Sequence, residues 1–568
     1  MPAWLKNAVF YEIYPQSYYD ANGDGIGDFE GIIAKLDYVK ELGCDALWIN
    51  PCFDSPFKDA GYDVKNYKKA APRYGTNEDL IRLFAAAHER GIKVLLDLVP
   101  GHTSEEHEWF QASCRQERNE FSDRYIWSDF AFQPAAAAGY PYIGGESERS
   151  GTYLLNFFKC QPALNYGWLH PQGPWQKPAD SEAAIATREA MKDVMRFWMD
   201  LGCDGFRVDM ASSLVKGDDE KKSGTSRIWK DIRAMLDRDY PECALIAEWS
   251  NPALSLEAGF HADFMLNEGS AHRNPAYSTL VRDYQNHGGA LADSASSSSG
   301  RDDSHSLTSE GFMSSPCFTG LQKAEDHPDF VDHSYFKKDS GGDVLKFLAV
   351  YLPYYEASKD KGYISLISCN HDTVRPSFTL SDRELKLFYA FLFTMPGVPF
   401  LYYGDEIGMR YESLRTKEGG YFRTGSRTPM QWSDEKNLGF SEADPSSLYL
   451  PVDPDGARLS RTVQAQENDP DSLLSAVREA VRVRHAYKEL QADGAFEVLH
   501  AQSGDPLFVY RRGGRVIAVN PSSKEQSLEL SGIPALSDAG TRPVLWSVGS
   551  GSLGDGILNV APQSFVLF

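Results

Sequence analysis

Hydrophobic residues in this chain fall into short unbroken runs and longer helical stripes, and the two alternate. Ala46-Leu47-Trp48-Ile49 and Val94-Leu95-Leu96-Asp97-Leu98-Val99 are apolar on consecutive positions, which marks strands covered on both faces. Between such runs lie stripes at helical spacing. Ile32, Leu36 and Val39 end at the stop signal Gly43. Thr76-x-x-Asp79 reads as a capping box for a helix that places Leu80, Phe84 and Ala87 on one face before Gly91. Strand–helix alternation with doubly covered strands predicts a parallel sheet packed under helices. Periodicity alone allows either a closed barrel or an open doubly wound sheet.

The alternation breaks in three places. From His102 to about Trp168 the chain is rich in aromatics, Gly, Pro and Ser and includes Ala135-Ala136-Ala137-Ala138-Gly139, the composition of an inserted excursion. The barrel-like pattern returns with a helix expected over Glu189–Leu201. A stretch from about Asn267 to Gly341 is long for a connection and carries five serines in the six positions 294–299. Leu473, Val477 and Val481 mark a closing helix. Beyond about Asp493, runs such as Pro506–Tyr510 and Gly514–Val519 predict an antiparallel β domain.

Chemistry collects at the strand ends. Gly205-Phe206-Arg207-Val208-Asp209-Met210 carries an arginine and an aspartate two apart, hence on one face of a strand. An isolated pair of this kind reads as a structural salt bridge. Here it has company: Leu245-Ile246-Ala247-Glu248-Trp249 ends in a carboxylate, Tyr363–Ser368 runs through Cys369 into Asn370-His371-Asp372, and the Val94–Val99 run leads to His102. Four strand ends bearing acids or histidine are hard to explain as packing.

The segments DLVPGHTS, GFRVDM, IAEWS and SCNHD, taken together, resemble the α-amylase family of glycoside hydrolases from about Ala8 to the C-terminus. The nearest branch contains α-glucosidases, oligo-1,6-glucosidases and trehalose synthases. The resemblance implies a (β/α)8 TIM barrel over residues 1–101 and 170–492, an inserted domain after strand 3 over 102–169, a β6–α6 excursion over 267–341 and a C-terminal β domain over 493–568. It makes Asp209 the nucleophile and Glu248 the general acid/base of a retaining double displacement, with the reacting carboxyls about 5–5.5 Å apart. Arg207 would hold Asp209 ionised. Glu248, beside Trp249, would have the less polar setting that raises a carboxyl pKa. Asp372 and His371 would bind sugar hydroxyls, and His102 another hydroxyl at the same subsite.

Two further segments bear on the substrate. Gly61-Tyr62-Asp63-Val64 resembles the strand-two loop in which the Tyr stacks on the first sugar and the Asp reaches its far hydroxyls. Ser426-Arg427-Thr428-Pro429-Met430-Gln431-Trp432 resembles a signature of α-glucosidases and trehalose synthases, whose Arg pairs with that Asp. Asp63 and Arg427 would then wall off a pocket for exo-attack on maltose- or isomaltose-type oligosaccharides, with transglycosylation open to the same intermediate. Trehalose synthase and α-amylase are the alternatives. A catalytically dead transporter partner would lack the acids and carry a membrane helix, the reverse of what this sequence shows. Three departures stand out: Gly101 where the family has Asn, Ala163 where it has an acid, and Met210 after the nucleophile, which does not diagnose linkage.

Composition narrows the partners. With 57 Lys+Arg against 80 Asp+Glu the formal net charge is -23, which argues against nucleic acid or an anionic membrane. The N-terminus has no basic-then-apolar leader and no run of ~18 apolar residues occurs, so a cytoplasmic protein is expected. The 8 cysteines form no metal or CxxC spacing and are expected to be reduced. Asp20-Ala21-Asn22-Gly23-Asp24-Gly25-Ile26-Gly27-Asp28 places oxygens at alternate positions like the first half of a calcium loop, with Asp20, Asn22, Asp24, Ile26 and Asp28 as ligands. The closing bidentate acid is absent, since Gly31 stands there. In the family this loop binds a metal, so calcium is the expected cofactor and no organic cofactor is implied.

Overall fold

The computed structural model describes residues 1–132, 134, 139–265, 276–286, 330–414, 422–533 and 542–568. Its centre is a parallel sheet of eight strands: β1 Phe10–Ile13, β2 Ala46–Ile49, β3 Lys93–Leu98, β4 Gly205–Val208, β5 Ala244–Ala247, β6 Ala262–Phe264, β7 Tyr363–Ser365 and β8 Phe400–Tyr402. The spatial order is β7-β6-β5-β4-β3-β2-β1-β8. The two ends meet through a parallel bridge between Ile367 and Phe400 and a Ser368 N–H donated to the Phe400 carbonyl at 2.9 Å. The sheet is therefore a TIM barrel, and the open-sheet alternative falls away.

Side chains from alternate strands fill its interior. Trp48 of β2 lies 5.4 Å from Phe264 of β6, and Phe264 lies 4.8 Å from Phe400 of β8, ring centre to ring centre. Gly205 opens β4 with φ at 144°, and a Cβ there would sit 2.0 Å from the Ala244 carbonyl. Only glycine lets β4 approach β5 at that point.

Helices cover the barrel much as the stripes predict. Asn77–Glu89 starts at the Thr76/Asp79 capping box. The helix expected from Glu189 begins about two turns earlier, at Glu182, because Ser181 caps it by accepting the Ala184 N–H. The closing helix is Leu473–Ala486. The stripe from Ile32 to Val39 is split at Lys35 into Phe29–Ala34 and Leu36–Leu42. Lys35 sends its ammonium over the rings of Tyr19 and Trp432, 4.3 Å from each centroid.

Between β3 and β4 sits an antiparallel three-stranded sheet of Trp127–Ser128, Tyr142–Gly144 and Thr152–Leu154. The Ala135–Ala138 run, most of the 267–341 excursion with its serine cluster, and Cys317 lie outside the described residues. At the C-terminus Phe496–His500, Phe508–Arg512, Arg515–Asn520, Ser564–Leu567 and Trp546–Val548 form an antiparallel sheet. The seven described cysteines are free thiols. Among the described residues no helix is long and apolar enough to cross a membrane.

Candidate active site

The C-terminal ends of β3, β4 and β5 converge on one guanidinium. Arg207 of β4 donates through Nη1 to Asp97 Oδ1 at 2.8 Å and to Asp209 Oδ1 at 3.3 Å, and its Nη2 lies 2.8 Å from Glu248 Oε2. The parallel register explains the first contact, because Asp97 is the direct partner of Arg207 across β3 and β4. Trp48 Nε1 and the Tyr62 hydroxyl also donate to Asp97, at 3.1 and 3.0 Å, so this acid is fully occupied as a support. Asp209 and Glu248 keep partial exposure, 11% and 19% of their side chains, while Arg207 is at 1%.

This geometry corrects two expectations. Arg207 is shared among three acids rather than devoted to Asp209, and Asp209 receives its longest bond. Glu248 is not in an apolar setting, since it accepts from both Arg207 and the Met210 N–H, the latter at 3.1 Å. It is Asp209 that burial and the neighbouring Glu248 charge raise well above the usual carboxylate range, against the pull of Arg207. The backbone is bent for these contacts: Met210 and Ser250, just beyond each acid, have φ of 43° and 60°. Asp263 at β6 holds the second bend by accepting the Trp249, Ser250 and Asn251 N–H groups at 3.0, 3.3 and 3.0 Å.

A second cluster forms where the segment after β7 reaches Glu12 of β1. His371 is fully buried; its Nδ1 is 2.8 Å from Glu12 Oε1, and its Nε2 is 2.7 Å from the Tyr62 hydroxyl and 3.2 Å from Asp372 Oδ2. Burial opposes its charge, yet Asp372 and Glu12 carry its pKa up to about 9. Both ring nitrogens are thus engaged within the protein, and Nε2 reaches Asp372. Asp372 Oδ1 accepts from Arg423 at 2.8 Å and Arg427 at 3.0 Å. Burial works against that carboxylate, but His371, Arg423 and Arg427 hold it well below the usual range. The Tyr62 ring stacks against His371 at 5.3 Å.

The expected Asp63–Arg427 pair does not form. Asp63 turns inward and accepts from Ser55 Oγ, the Lys58 N–H and the Asp59 N–H, each at 3.0 Å. Burial pushes its pKa up to about 6. The acid that meets an arginine is Asp59, whose Oδ1 accepts from Arg423 Nη2 at 2.9 Å. Arg423 thereby ties the strand-two loop to Asp372. The loop's twist produces this exchange: Phe57, Ala60 and Gly61 all have positive φ, so Asp59 and Asp63 leave on different sides.

His102 is also enclosed. Its Nε2 lies 3.1 Å from the Tyr62 carbonyl and its Nδ1 lies 3.0 Å from Asn156 Nδ2. Burial lowers its pKa to about 4. Both ring nitrogens have protein partners, one of them on the Tyr62 loop. Asn156 also explains Gly101, because a Cβ at Gly101 would meet its Nδ2 at 2.9 Å. The amide that the family places on residue 101 arrives here from the inserted domain. Ala163 is fully buried with Leu154, Trp168 and Trp175, a packing position without a place for the missing acid.

In the 20–28 loop the side-chain oxygens face the loop's own amides. Asp20 accepts from Gly23 and Gly25, Asn22 from Asp24, Asp24 from Ile26, and Asp28 from Ala21, Asn22 and Gly31. Ile26 is partly buried. Burial, backed by the charge of Asp20, raises Asp28. Among the described residues no group of three or more His, Cys, Asp or Glu side chains is placed to hold a metal ion.

A model of the α-amylase catalytic domain matches residues 12–260 and 343–493. The chain belongs to the α-amylase family. Among its relatives is the trehalose synthase/amylase TreS of Mycolicibacterium smegmatis, 34% identical over 501 residues, covering 85% of this chain and 76% of that one. The oligo-1,6-glucosidase of Heyndrickxia coagulans is 30% identical over 589 residues, covering 93% and 94%. The trehalulose synthase MutB superimposes with a TM-score of 0.74 at 23% identity over 99% of each chain, a likeness of fold. The α-amylase family is one of glycosidases, and the acids of this chain lie where a TIM barrel gathers function.

Proposed function

We propose that the chain is a retaining α-glucosidase that removes single glucosyl units from the non-reducing ends of short α-glucosides. The observation that supports this most is the Arg207 guanidinium bonded to both Asp209 and Glu248, which keeps two solvent-reached carboxyls beside each other at adjacent strand ends. Asp209 attacks the anomeric carbon as the C–O bond to the leaving sugar breaks. Glu248 gives its proton to the departing oxygen, then takes one from the incoming acceptor. Burial and the nearby Glu248 charge raise Asp209, and the Arg207 contact opposes them. Asp372, clamped by His371, Arg423 and Arg427, is set to grip the hydroxyls of the distorting ring. The Arg423 bridge from Asp372 to Asp59 closes one end of the site and favours a pocket over an open groove.

A second reading is rearrangement of maltose to trehalose, in which the released glucose itself attacks the glucosyl enzyme. The 34% identity to a trehalose synthase over most of the chain favours it. Product analysis by proton NMR separates the two: free glucose from maltose supports the hydrolase, trehalose with little glucose supports the synthase, and starch cleavage with neither disaccharide turned over overturns the pocket.

We also infer a structural calcium ion on the 20–28 loop. An oxygen-only donor set of Asp20, Asn22, Asp24, Asp28 and the Ile26 carbonyl suits a hard cation, which would offset the repulsion between Asp20 and Asp28.

A further inference from the structure

Among the described residues two lysines are buried, Lys192 and Lys216, each 6% exposed. Lys192 is neutralised by Asp231 at 2.6 Å and Glu189 at 3.0 Å. Lys216 is not. Its Nζ donates to the Ser213 carbonyl at 2.7 Å and to Asn156 Oδ1 at 3.1 Å, both neutral oxygens, and among the described residues no carboxylate pairs with it. A buried ammonium without a counter-charge is costly, and burial with the charge of Lys222 lowers its pKa to about 7. What Lys216 joins explains its presence.

It stands where the turn after β4 meets the inserted domain. On the barrel side, Ser213 donates its N–H and its hydroxyl to the Met210 carbonyl at 3.1 and 3.0 Å, which links Lys216 to the residue after Asp209. On the other side, Asn156 of the inserted domain donates through Nδ2 to His102 Nδ1 at 3.0 Å and lies 3.8 Å from Met210 Sδ. Backbone bonds close the seam: the Lys216 N–H donates to the Gly167 carbonyl, and the Leu169 N–H to the Lys216 carbonyl, both at 3.0 Å.

The direction of each link follows from the two ends. An ammonium only donates, so Asn156 turns its oxygen to Lys216 and its amide N–H to His102. The Tyr62 carbonyl only accepts, so His102 Nε2 carries the proton and Nδ1 is the acceptor that Asn156 fills. Burial keeps this ring neutral at its lowered pKa of about 4.

We propose that Lys216 is a positioning residue of the active site: it orients the Asn156 amide, which holds His102 and the Tyr62 loop against the turn that follows Asp209. The Tyr62 hydroxyl in turn donates to Asp97, the support of Arg207. The inserted domain thereby becomes part of the frame that holds the acids. This role rests on the reading of Asp209 as the nucleophile.

The test pairs kinetics on p-nitrophenyl α-glucoside with nitrogen NMR of the full chain, isotopically labelled at histidine. The His102 resonances are those lost in His102→Gln. Asn156→Asp keeps the shape and gives Lys216 a carboxylate, but leaves nothing to donate to His102 Nδ1. It should melt at or above the temperature of the parent, yet lose about tenfold to a hundredfold in kcat with KM within about threefold. The new carboxylate should also carry the His102 pKa upward. Lys216→Met should lower kcat over the same range and move the His102 Nδ1 resonance, because the amide it orients is that nitrogen's partner. Lys192→Met, the loss of the paired lysine, should cost stability with kcat within about twofold of the parent. An unchanged kcat in Asn156→Asp, or an unmoved His102 resonance in Lys216→Met, would overturn the proposal. A parent that leaves the glucoside intact would instead sink the glycosidase reading, and the His102 resonances would decide the link on their own.

Discussion

Buried arginines stand at both ends of this barrel, and their partners differ. At the strand C-termini Arg207, Arg423 and Arg427 meet carboxylates: Asp97, Asp209 and Glu248 for the first, Asp59 and Asp372 for the others. At the opposite end Arg484 donates to the Phe393, Met395 and Gly397 carbonyls, and Arg512 to those of Thr394, Gln491, Gly494 and Ala495. Burial lowers the pKa of both latter groups, helped at Arg484 by the charge of Arg512, yet a guanidinium stays charged. Cations that cap backbone carbonyls tie segments together. Cations that gather acids hold charge at a surface a substrate can reach. One residue type therefore serves architecture at one end and chemistry at the other.

The largest effect that sharpens this contrast is expected from Asp209→Asn, which should lower kcat by at least about 10³-fold while leaving the denaturation midpoint within experimental spread. Steady-state rates and a urea titration on the same preparation check both halves. Arg484→Met should do the reverse. Leaving three buried carbonyls without their donor should cost about 3–5 kcal/mol in unfolding free energy, with kcat at low temperature within about twofold of the parent.

Arg423→Ala breaks the bridge between Asp59 and Asp372 and should reduce kcat/KM on maltose by about 10–100-fold, with a smaller loss on soluble starch; equal losses on both would undo the pocket. His371 tests the charge held at the catalytic end. Its folded pKa of about 9 lies above its unfolded value, so its stabilising contribution is complete below about pH 6.5 and is lost as pH rises through about 9. The stability advantage of the parent over His371→Gln should therefore shrink across that window. The smallest expected effect is that of EDTA, a fall of about 2–5 °C in Tm restored by calcium; an unmoved Tm would leave the 20–28 loop held by its own Asx turns alone.

The sequence exposes Asp209, Glu248 and Asp372, the acids proposed to be catalytic, because each interrupts or ends an apolar run, and a strand that must be buried tolerates a carboxylate only with a reason. The barrel order follows from the same runs. The supports are less legible because they depend on neighbours in space. Asp97 sits in plain view in its strand, yet its tie to Arg207 requires the β3–β4 register. Glu12 Oε1 and Asn50 Nδ2, 2.8 and 3.1 Å from His371 Nδ1, reach it from strands that lie far apart in sequence. Asp59 and Asp63 are four residues apart in one loop, and only its left-handed turns decide which one faces Arg423. Gly101 reads as a lost amide until Asn156 is seen to supply it.

The central claim is that Asp209 and Glu248, gathered on Arg207, act by double displacement. The most direct test is the anomeric form of the glucose first released from p-nitrophenyl α-glucoside, whose leaving group is not a sugar, followed by proton NMR within the first minutes of reaction. Double displacement predicts the α-anomer, as free α-glucose or as an α-linked transfer product, ahead of mutarotation. β-Glucose appearing first would mean a single inverting displacement and would contradict it.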